Sequence, residues 1–388
     1  MEIVMSKLNV NSPIWKRASR TLFCAIVLTA VTSTSQMAFG QDTIKLGFIG
    51  PMTGGNAQQG LGARNGFLLA IKEANASGYP YRVEGVALDD ASDPAVGVSA
   101  ALKLVNDNKV IAVTAHWNSP VALATTPVFN RYQMPTVIWG AISPKITEAN
   151  MPVVTRVTPT LEQENKPLAD WAAKSYNKKK MAIVSDTSDY GAANTAAMSE
   201  YFTAAGGTII SKASAPVGTT DFQSMLTKIK ASNPDIIYFG GVITEAALIR
   251  KQMTALGMAH IPMIAISGIY DPKYLEIAGA AADGTLVSSP KISESAALQT
   301  FQKSYEAAGF PDAAGPYAKY AYDATNIMLK AIKENGYKDK AQLAKAIRNI
   351  KYQGVLGLTE FDQRGQTKVP VTVDIQQAKA GKWVAWQQ

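Results

Sequence analysis

Cysteine and histidine are nearly missing from this chain. One Cys and two His among 388 residues cannot supply a structural zinc site or a disulfide framework. A strong charge of one sign is missing too. The formal net charge is +8, from 38 basic and 30 acidic side chains. Lys7, Lys16, Arg17 and Arg20 against Glu2 put +3 of it before residue 41, leaving 34 basic and 29 acidic side chains beyond. That residual excess is diffuse and gives no support to nucleic-acid binding. After residue 40 no stretch approaches the roughly 18 apolar residues of a bilayer-spanning helix. There is no low-complexity linker, no P-loop and no EF-hand, which needs a carboxylate ladder closed by a Glu.

What is present is an ordinary globular composition, 47% hydrophobic and 18% charged. It asks for burial and excludes disorder over most of the length. At roughly 150 residues per domain the chain suggests two domains.

The first 40 residues read as a secretory signal. Lys16, Arg17 and Arg20 precede the apolar run Thr21–Val31, and Ala38-Phe39-Gly40 offers small residues for cleavage before Gln41. As a helix that run spans only about 16 Å, against a bilayer core of about 30 Å. Cys24 opens the run rather than ending it, which argues against a lipoprotein. The mature chain is expected to be soluble, exported and free of cysteine.

From residue 42 onward, β and α patterns alternate. Strands are expected at 44–49, 83–88, 110–113 and 136–139, with helices at 60–76, 94–107 and 119–131. A second series places strands at 181–184, 208–210, 235–239 and 263–266, with helices at 162–176, 191–205, 220–231 and 243–256. Helices at 294–308, 314–334 and 340–348 follow, then a strand pair at 371–375 and 383–386. Such alternation implies parallel sheets covered on both faces. Two series imply two similar lobes. Residues 152–160 read as an extended segment crossing between them.

Catalytic motifs are weak. His116 lies near Ser119, but no G-x-S-x-G elbow surrounds that serine. His260 reads as surface. Gly60-Leu61-Gly62-Ala63-Arg64-Asn65 begins like a dinucleotide fingerprint, yet Asn65 stands where a small residue belongs. Asp89 and Asp90 read as a solvated strand end, with Asp93 capping the helix that starts at Pro94. No metal, cofactor or enzymatic activity is expected.

The segment 114–147 carries more. His116-Trp117-Asn118-Ser119-Pro120 joins a strand to a helix, with Ser119 as N-cap and Pro120 as first helical residue. A helix start suits an anion such as a carboxylate. Trp139-Gly140-Ala141-Ile142 ends the next strand. Both loops fall at the carboxyl edge of a doubly wound sheet, where ligands bind, and their two tryptophans suit a ligand cleft. Tyr190 and Ser267 occupy matching edges in the second lobe.

Here the chain resembles the leucine/isoleucine/valine-binding proteins, the periplasmic solute-binding components of branched-chain amino-acid-type ABC transporters. The resemblance rests on Gly50-Pro51-Met52-Thr53-Gly54 with Ala57-Gln58 and Gly60, on Asp89-Asp90-Ala91-Ser92-Asp93-Pro94, on Gly140-Ala141, on Asp189-Tyr190-Gly191 and on Tyr238-Phe239-Gly240-Gly241. It covers essentially all of 42–375.

The resemblance implies an α/β fold of two doubly wound Rossmann-like lobes, the type I periplasmic binding protein fold. Three hinge crossovers fall near 160, 288 and 366. Residues 41–160 with 289–366 would form lobe 1, and 161–288 with 367–388 lobe 2. It implies a ligand-binding set of Gln59, Trp117, Asn118, Ser119, Trp139, Ala141, Ile142, Tyr190 and Ser267. Ser119 matches the serine that holds the ligand's α-carboxylate. Tyr190 matches the second-lobe tyrosine. Ile142 replaces the companion threonine, with Ala141 left to offer backbone. Ser267 falls where the glutamate for the ammonium belongs, Gln59 where a tryptophan belongs, and Val242 or Ile243 at a second-lobe aromatic. Ser92 and Asn118 occupy the positions of the family's disulfide.

The carboxylate end of recognition is thereby kept and the amino end put in doubt. Asp189 and Asp271, the acids nearest to hand, read as surface. The expected ligand is a small carboxylate: an apolar amino acid, or an aromatic or aliphatic acid or amide without the amine. The expected partners are that ligand and an ABC membrane permease, with the protein monomeric and periplasmic. Rival readings are a sensor domain, disfavoured because no output segment follows Gln388, and an enzyme on the same frame.

Overall fold

A computed structural model describes residues 42–106 and 110–387. The expected secretory signal, Cys24 included, lies outside the described residues. Two sheets organise the chain.

The first sheet contains β1 (Thr43–Gly50), β2 (Arg82–Asp89), β3 (Val110–Ala115), β4 (Thr136–Ile138) and β5 (Val154–Arg156), in the order β2-β1-β3-β4-β5. All its pairings are parallel. Central strands of such a sheet are covered on both faces and must be apolar on both. All six residues of β3 are accordingly buried, whereas the edge strand β2 is mostly exposed or half-buried. Helices α1 (Ala57–Ala76), α2 (Pro94–Asn106), α3 (Ser119–Arg131) and the short α4 (Lys145–Glu148) connect them.

The second sheet contains β6 (Lys180–Asp186), β7 (Thr208–Ala215), β8 (Ile236–Gly240), β9 (Met263–Ala265) and β10 (Thr285–Pro290). The parallel order β7-β6-β8-β9-β10 repeats that of the first sheet. Helix α5 (Leu161–Asp170), ending in a π turn at Trp171–Ser175, precedes it. Helices α6 (Asp189–Ala204), α7 (Gln223–Ala231), α8 (Ile243–Ala255) and α9 (Pro272–Ala278) connect its strands.

After β10 the chain returns to the first sheet. Helices α10 (Ala296–Ala308) and α11 (Ala318–Asn335) pack on α1, and α12 (Lys340–Arg348) packs toward β5. The hairpin β11 (Tyr352–Gly354) and β12 (Gly357–Thr359) follows. The chain then crosses a third time, and the second sheet is extended by β13 (Val373–Lys379), antiparallel to β10, and by β14 (Lys382–Ala385), antiparallel to β13.

Two expectations from the sequence need correction. Residues 154–156 form an edge strand rather than a plain crossing segment. Strand β10 adds to the expected strands, and the sequence does not signal it because Thr285–Pro290 mixes apolar and hydroxyl side chains without a strand-like alternation. The glycines of the rejected dinucleotide fingerprint, and Gly66 just after it, serve packing. A Cβ on Gly60 would lie 1.7 Å from the Pro51 carbonyl oxygen. On Gly62 and Gly66 it would lie 2.5 and 2.1 Å from the Ala314 and Ala318 carbonyl oxygens. Glycine is what lets α1 approach the segment leading into α11 so closely.

Candidate functional site

In a sheet of order 2-1-3-4-5, the loops leaving strands 1 and 3 diverge to opposite faces and open a crevice at their carboxyl ends. Both sheets have that crevice. In the first it lies beyond β1 and β3, at Pro51 and His116-Trp117. In the second it lies beyond β6 and β8, at Thr187 and Gly241. A cavity of about 80 Å3 joins the two, several times the roughly 10–15 Å3 that one water needs. Its apolar wall is Trp117, Ile142, Tyr190, Val242 and Tyr317, and its polar wall is Asn56, Ser92, Asn118, Ser119, Asp186 and Ser188.

Four lining residues are helix N-caps: Asn56 for α1, Asn118 for α3, Ser188 for α6 and Val242 for α8. Only Ser188 uses its side chain to cap, accepting from the Gly191 N–H. Four positive helix ends therefore meet at one cavity, from both lobes, which favours a negatively charged group there. Ser119 is the first helical residue and Asn118 the N-cap, one position earlier than the sequence suggests. The Ser119 hydroxyl oxygen accepts the Ser143 N–H at 3.1 Å, leaving its own proton to donate. The Asn118 Oδ1 is buried with no protein partner.

Trp117, Asn118, Ser119, Ile142 and Tyr190 line this cavity together. Trp117 faces it, edge-on to Tyr317 with ring centres 6.1 Å apart. Tyr190 closes the second-lobe side. Burial pushes its phenol well above the ordinary range, so it stays protonated and can donate. Its hydroxyl fits because position 268 is glycine, where a Cβ would lie 2.4 Å away.

The other four expected residues lie elsewhere. Trp139 is fully buried beneath the site, stacked on Phe48 at 5.6 Å, with its Nε1–H donating to the Ile49 carbonyl at 3.2 Å. The Ala141 N–H is already given to the His116 carbonyl at 2.9 Å, and its carbonyl accepts from Arg156, so this backbone is not free. Gln59 reaches across to Asp271 instead. Ser267 lines a smaller adjoining chamber.

Several acids also differ from expectation. Asp271 and Asp90 are both buried rather than solvated. Asp90 sits 2.9 Å from His116 Nδ1, while Thr125 holds His116 Nε2 at 2.8 Å. Both ring nitrogens are thus engaged, and no Ser–His pair forms. Asp93 caps α2 through the N–H groups of Ala95 and Val96. Asp189 is exposed and pairs with Lys145 at 3.4 Å. His260 is exposed.

The sequence reading missed Asp186, Tyr317 and Glu164. Asp186 ends β6 in the cavity wall. Burial raises its carboxyl, against the pull of hydrogen bonds from Ser188 and Gly191. Its place at the end of the first strand of the second series was a usable signal. Tyr317 arrives from the return segment, far along the chain. Glu164, in the first turn of α5, is 1% exposed. Burial pushes its carboxyl up to about 7, against hydrogen bonds from Ser267.

Among the described residues no group of three or more His, Cys, Asp or Glu is arranged to hold a metal. None of their helices is long and apolar enough to cross a membrane.

Residues 43–382 match the sequence profile of the periplasmic binding protein family. A leucine-, isoleucine-, valine-, threonine- and alanine-binding protein of Pseudomonas aeruginosa is 29% identical over 361 residues, covering 91% of this chain and 94% of that protein. The branched-chain amino acid transporter substrate binding protein LivJ of Streptococcus pneumoniae, in complex with isoleucine, superimposes with a TM-score of 0.80 at 26% identity, over 89% of this chain and 98% of that one. A solute binding protein of an ABC transporter from Rhodopseudomonas palustris BisB5, in complex with 3,4-dihydroxy benzoic acid, gives 0.76 at 28% identity, over 87% and 93%. This chain belongs to the periplasmic binding protein family, and its fold is the two-lobed α/β fold of that family.

Proposed function

We propose that this protein is the periplasmic solute-binding component of an ABC importer, capturing a small carboxylate between its lobes and delivering it to a membrane permease. The observation that carries this reading is the convergence of four helix N-termini from both lobes on one largely apolar cavity. Helix ends recognise an anion, and an apolar wall recognises the rest of the molecule. The carboxylate docks at Ser119 and the start of α3. Trp117, Ile142 and Val242 take the apolar body, and Tyr190 covers it from the second lobe.

Lobe 1 comprises 41–160 with 289–366, and lobe 2 comprises 161–288 with 367–388. The crossovers near 160, 288 and 366 act as hinges for closure. The protein acts as a monomer and is exported by its cleaved leader. Among its relatives are a protein named for binding leucine, isoleucine, valine, threonine and alanine, one in complex with isoleucine and one in complex with 3,4-dihydroxy benzoic acid. The edge-to-face pair Trp117–Tyr317 in the wall favours an aromatic acid as the second reading.

A thermal-shift screen of refolded, ligand-free protein tests the proposal. The panel pairs amino acids with deaminated and aromatic carboxylates. A ligand at 100 times its Kd adds about 2.7 kcal/mol, a clear rise in melting temperature. No shift with any small carboxylate would sink the reading.

A further inference from the structure

A second chamber adjoins the main cavity and shares Ile142 and Tyr317 with it. Glu164, Ser267, Thr158, Ser289 and Lys319 also line it. Its volume is about 20 Å3, room for roughly one water-sized group and no ring.

Within it Glu164 is deeply buried. Its Oε2 accepts the Ser267 N–H at 3.2 Å, with the Ser267 hydroxyl alongside. It makes no ion pair with a described residue. Leaving a carboxylate buried without a cation or a full set of donors is unfavourable. The groups around it do not change that. Tyr190, Tyr317 and Tyr320 are phenols kept neutral by burial. Tyr238 turns its hydroxyl to Asn165 and Asn194, at 2.8 and 2.9 Å. Lys319 feels Glu294 as its compensating acid.

Building on the carboxylate-binding reading, we propose that Glu164 selects ligands carrying a hydrogen-bond-donating substituent, an ammonium or a hydroxyl, and that the Ser267 chamber seats that substituent. Serine at 267 leaves room beside Glu164, so the acid missing from position 267 is supplied from α5, 103 residues earlier. An ammonium would pair with the ionised carboxylate, and a hydroxyl would share a proton with it in either state.

The test is isothermal titration of wild type and Glu164→Gln with two pairs of ligands, L-leucine against 4-methylpentanoate and 4-hydroxybenzoate against benzoate. The members of each pair differ only in the donor. Wild type should prefer the donor-bearing member of one pair, and which pair identifies ammonium or hydroxyl. Glu164→Gln should weaken that member by about 30-fold or more, the usual effect of removing one side of a buried charged contact. Its donor-free partner should change by less than about threefold. Should Glu164→Gln fail to fold, Ser267→Val fills the chamber while keeping the Glu164 carboxyl and its bond from the 267 N–H, losing only the Ser267 hydroxyl, and should give the same selective loss. Equal loss on both members, or no wild-type preference in either pair, overturns the inference while leaving carboxylate binding intact. Failure to bind any of the four acids overturns the carboxylate reading and this inference with it.

Discussion

The Gln59 Nε2 donates to the Asp271 Oδ2 at 2.6 Å. Gln59 lies in the first turn of α1, over the first sheet. Asp271 is the N-cap of α9, beside the second. Each is 1% exposed, so the contact runs from one lobe to the other out of water. Burial pushes the Asp271 carboxyl up to about 6, leaving it mostly ionised at neutral pH. The Gln59 Oε1 has no partner of its own. Nearby, a Cβ on Gly55 would meet the Thr244 hydroxyl at 2.6 Å, so the lobes approach closely along this edge.

Gln59→Ala is therefore expected to loosen the closed form without harming either lobe. A hydrogen bond to a charged group contributes about 1.5–3 kcal/mol. Ligand affinity should fall about tenfold or more, chiefly through faster dissociation. Stopped-flow release of bound ligand measures it. An unchanged off-rate would mean that this contact does not hold the lobes together.

The two tryptophans should separate cleanly. Trp139 is core, so Trp139→Ala should destabilise the fold by about 3–5 kcal/mol. Trp117 lines the cavity, so Trp117→Ala should weaken ligand binding with a smaller fall in melting temperature. Denaturant unfolding and ligand titration on both variants decide this. Reversed effects would exchange their roles.

These two residues also mark how far the sequence could be read. Both sit at the carboxyl edge of the first sheet, and periodicity finds that edge because strand and helix patterns alternate so regularly. Periodicity does not say which side of the edge an indole takes. That depends on Phe48, on a strand two places away in the sheet, offering Trp139 a stacking face. Tyr317 and Glu164 were hidden for a related reason. Each reaches the site through a crossover, and crossovers join distant parts of the chain with no local signal. Asp271 misled differently: a capping Asp before a Pro looks solvated until the opposite lobe covers it.

Stability should fall as pH rises from about 5 to 7. Burial raises the carboxyls of Glu164 and Asp323 to about 7 and that of Asp271 to about 6. In that interval the folded chain holds protons that the unfolded chain has released, so unfolding is favoured as pH increases. Glu164 alone would contribute on the order of 2 kcal/mol across the interval. The ligand-free protein should melt higher at pH 5 than at pH 8, and Glu164→Gln should shrink the difference. A melting temperature that is flat or rises with pH would contradict this.

Gly268→Ala separates binding from folding at a single methyl group. Position 268 has no positive φ to satisfy, so alanine brings no backbone strain there. The new Cβ would lie 2.4 Å from the Tyr190 hydroxyl, the far end of a side chain that can rotate. The Gly241 carbonyl, 3.4 Å away, stays in ordinary contact. The lobe should therefore fold, with Tyr190 pushed off the cavity wall. Loss of one buried hydrogen bond and part of an aromatic wall should lower affinity about 10- to 100-fold. Tyr190→Phe, which removes only the hydroxyl, should lose less. If Gly268→Ala binds as wild type does, the Tyr190 hydroxyl is not part of the ligand's surroundings and the second-lobe contact lies elsewhere.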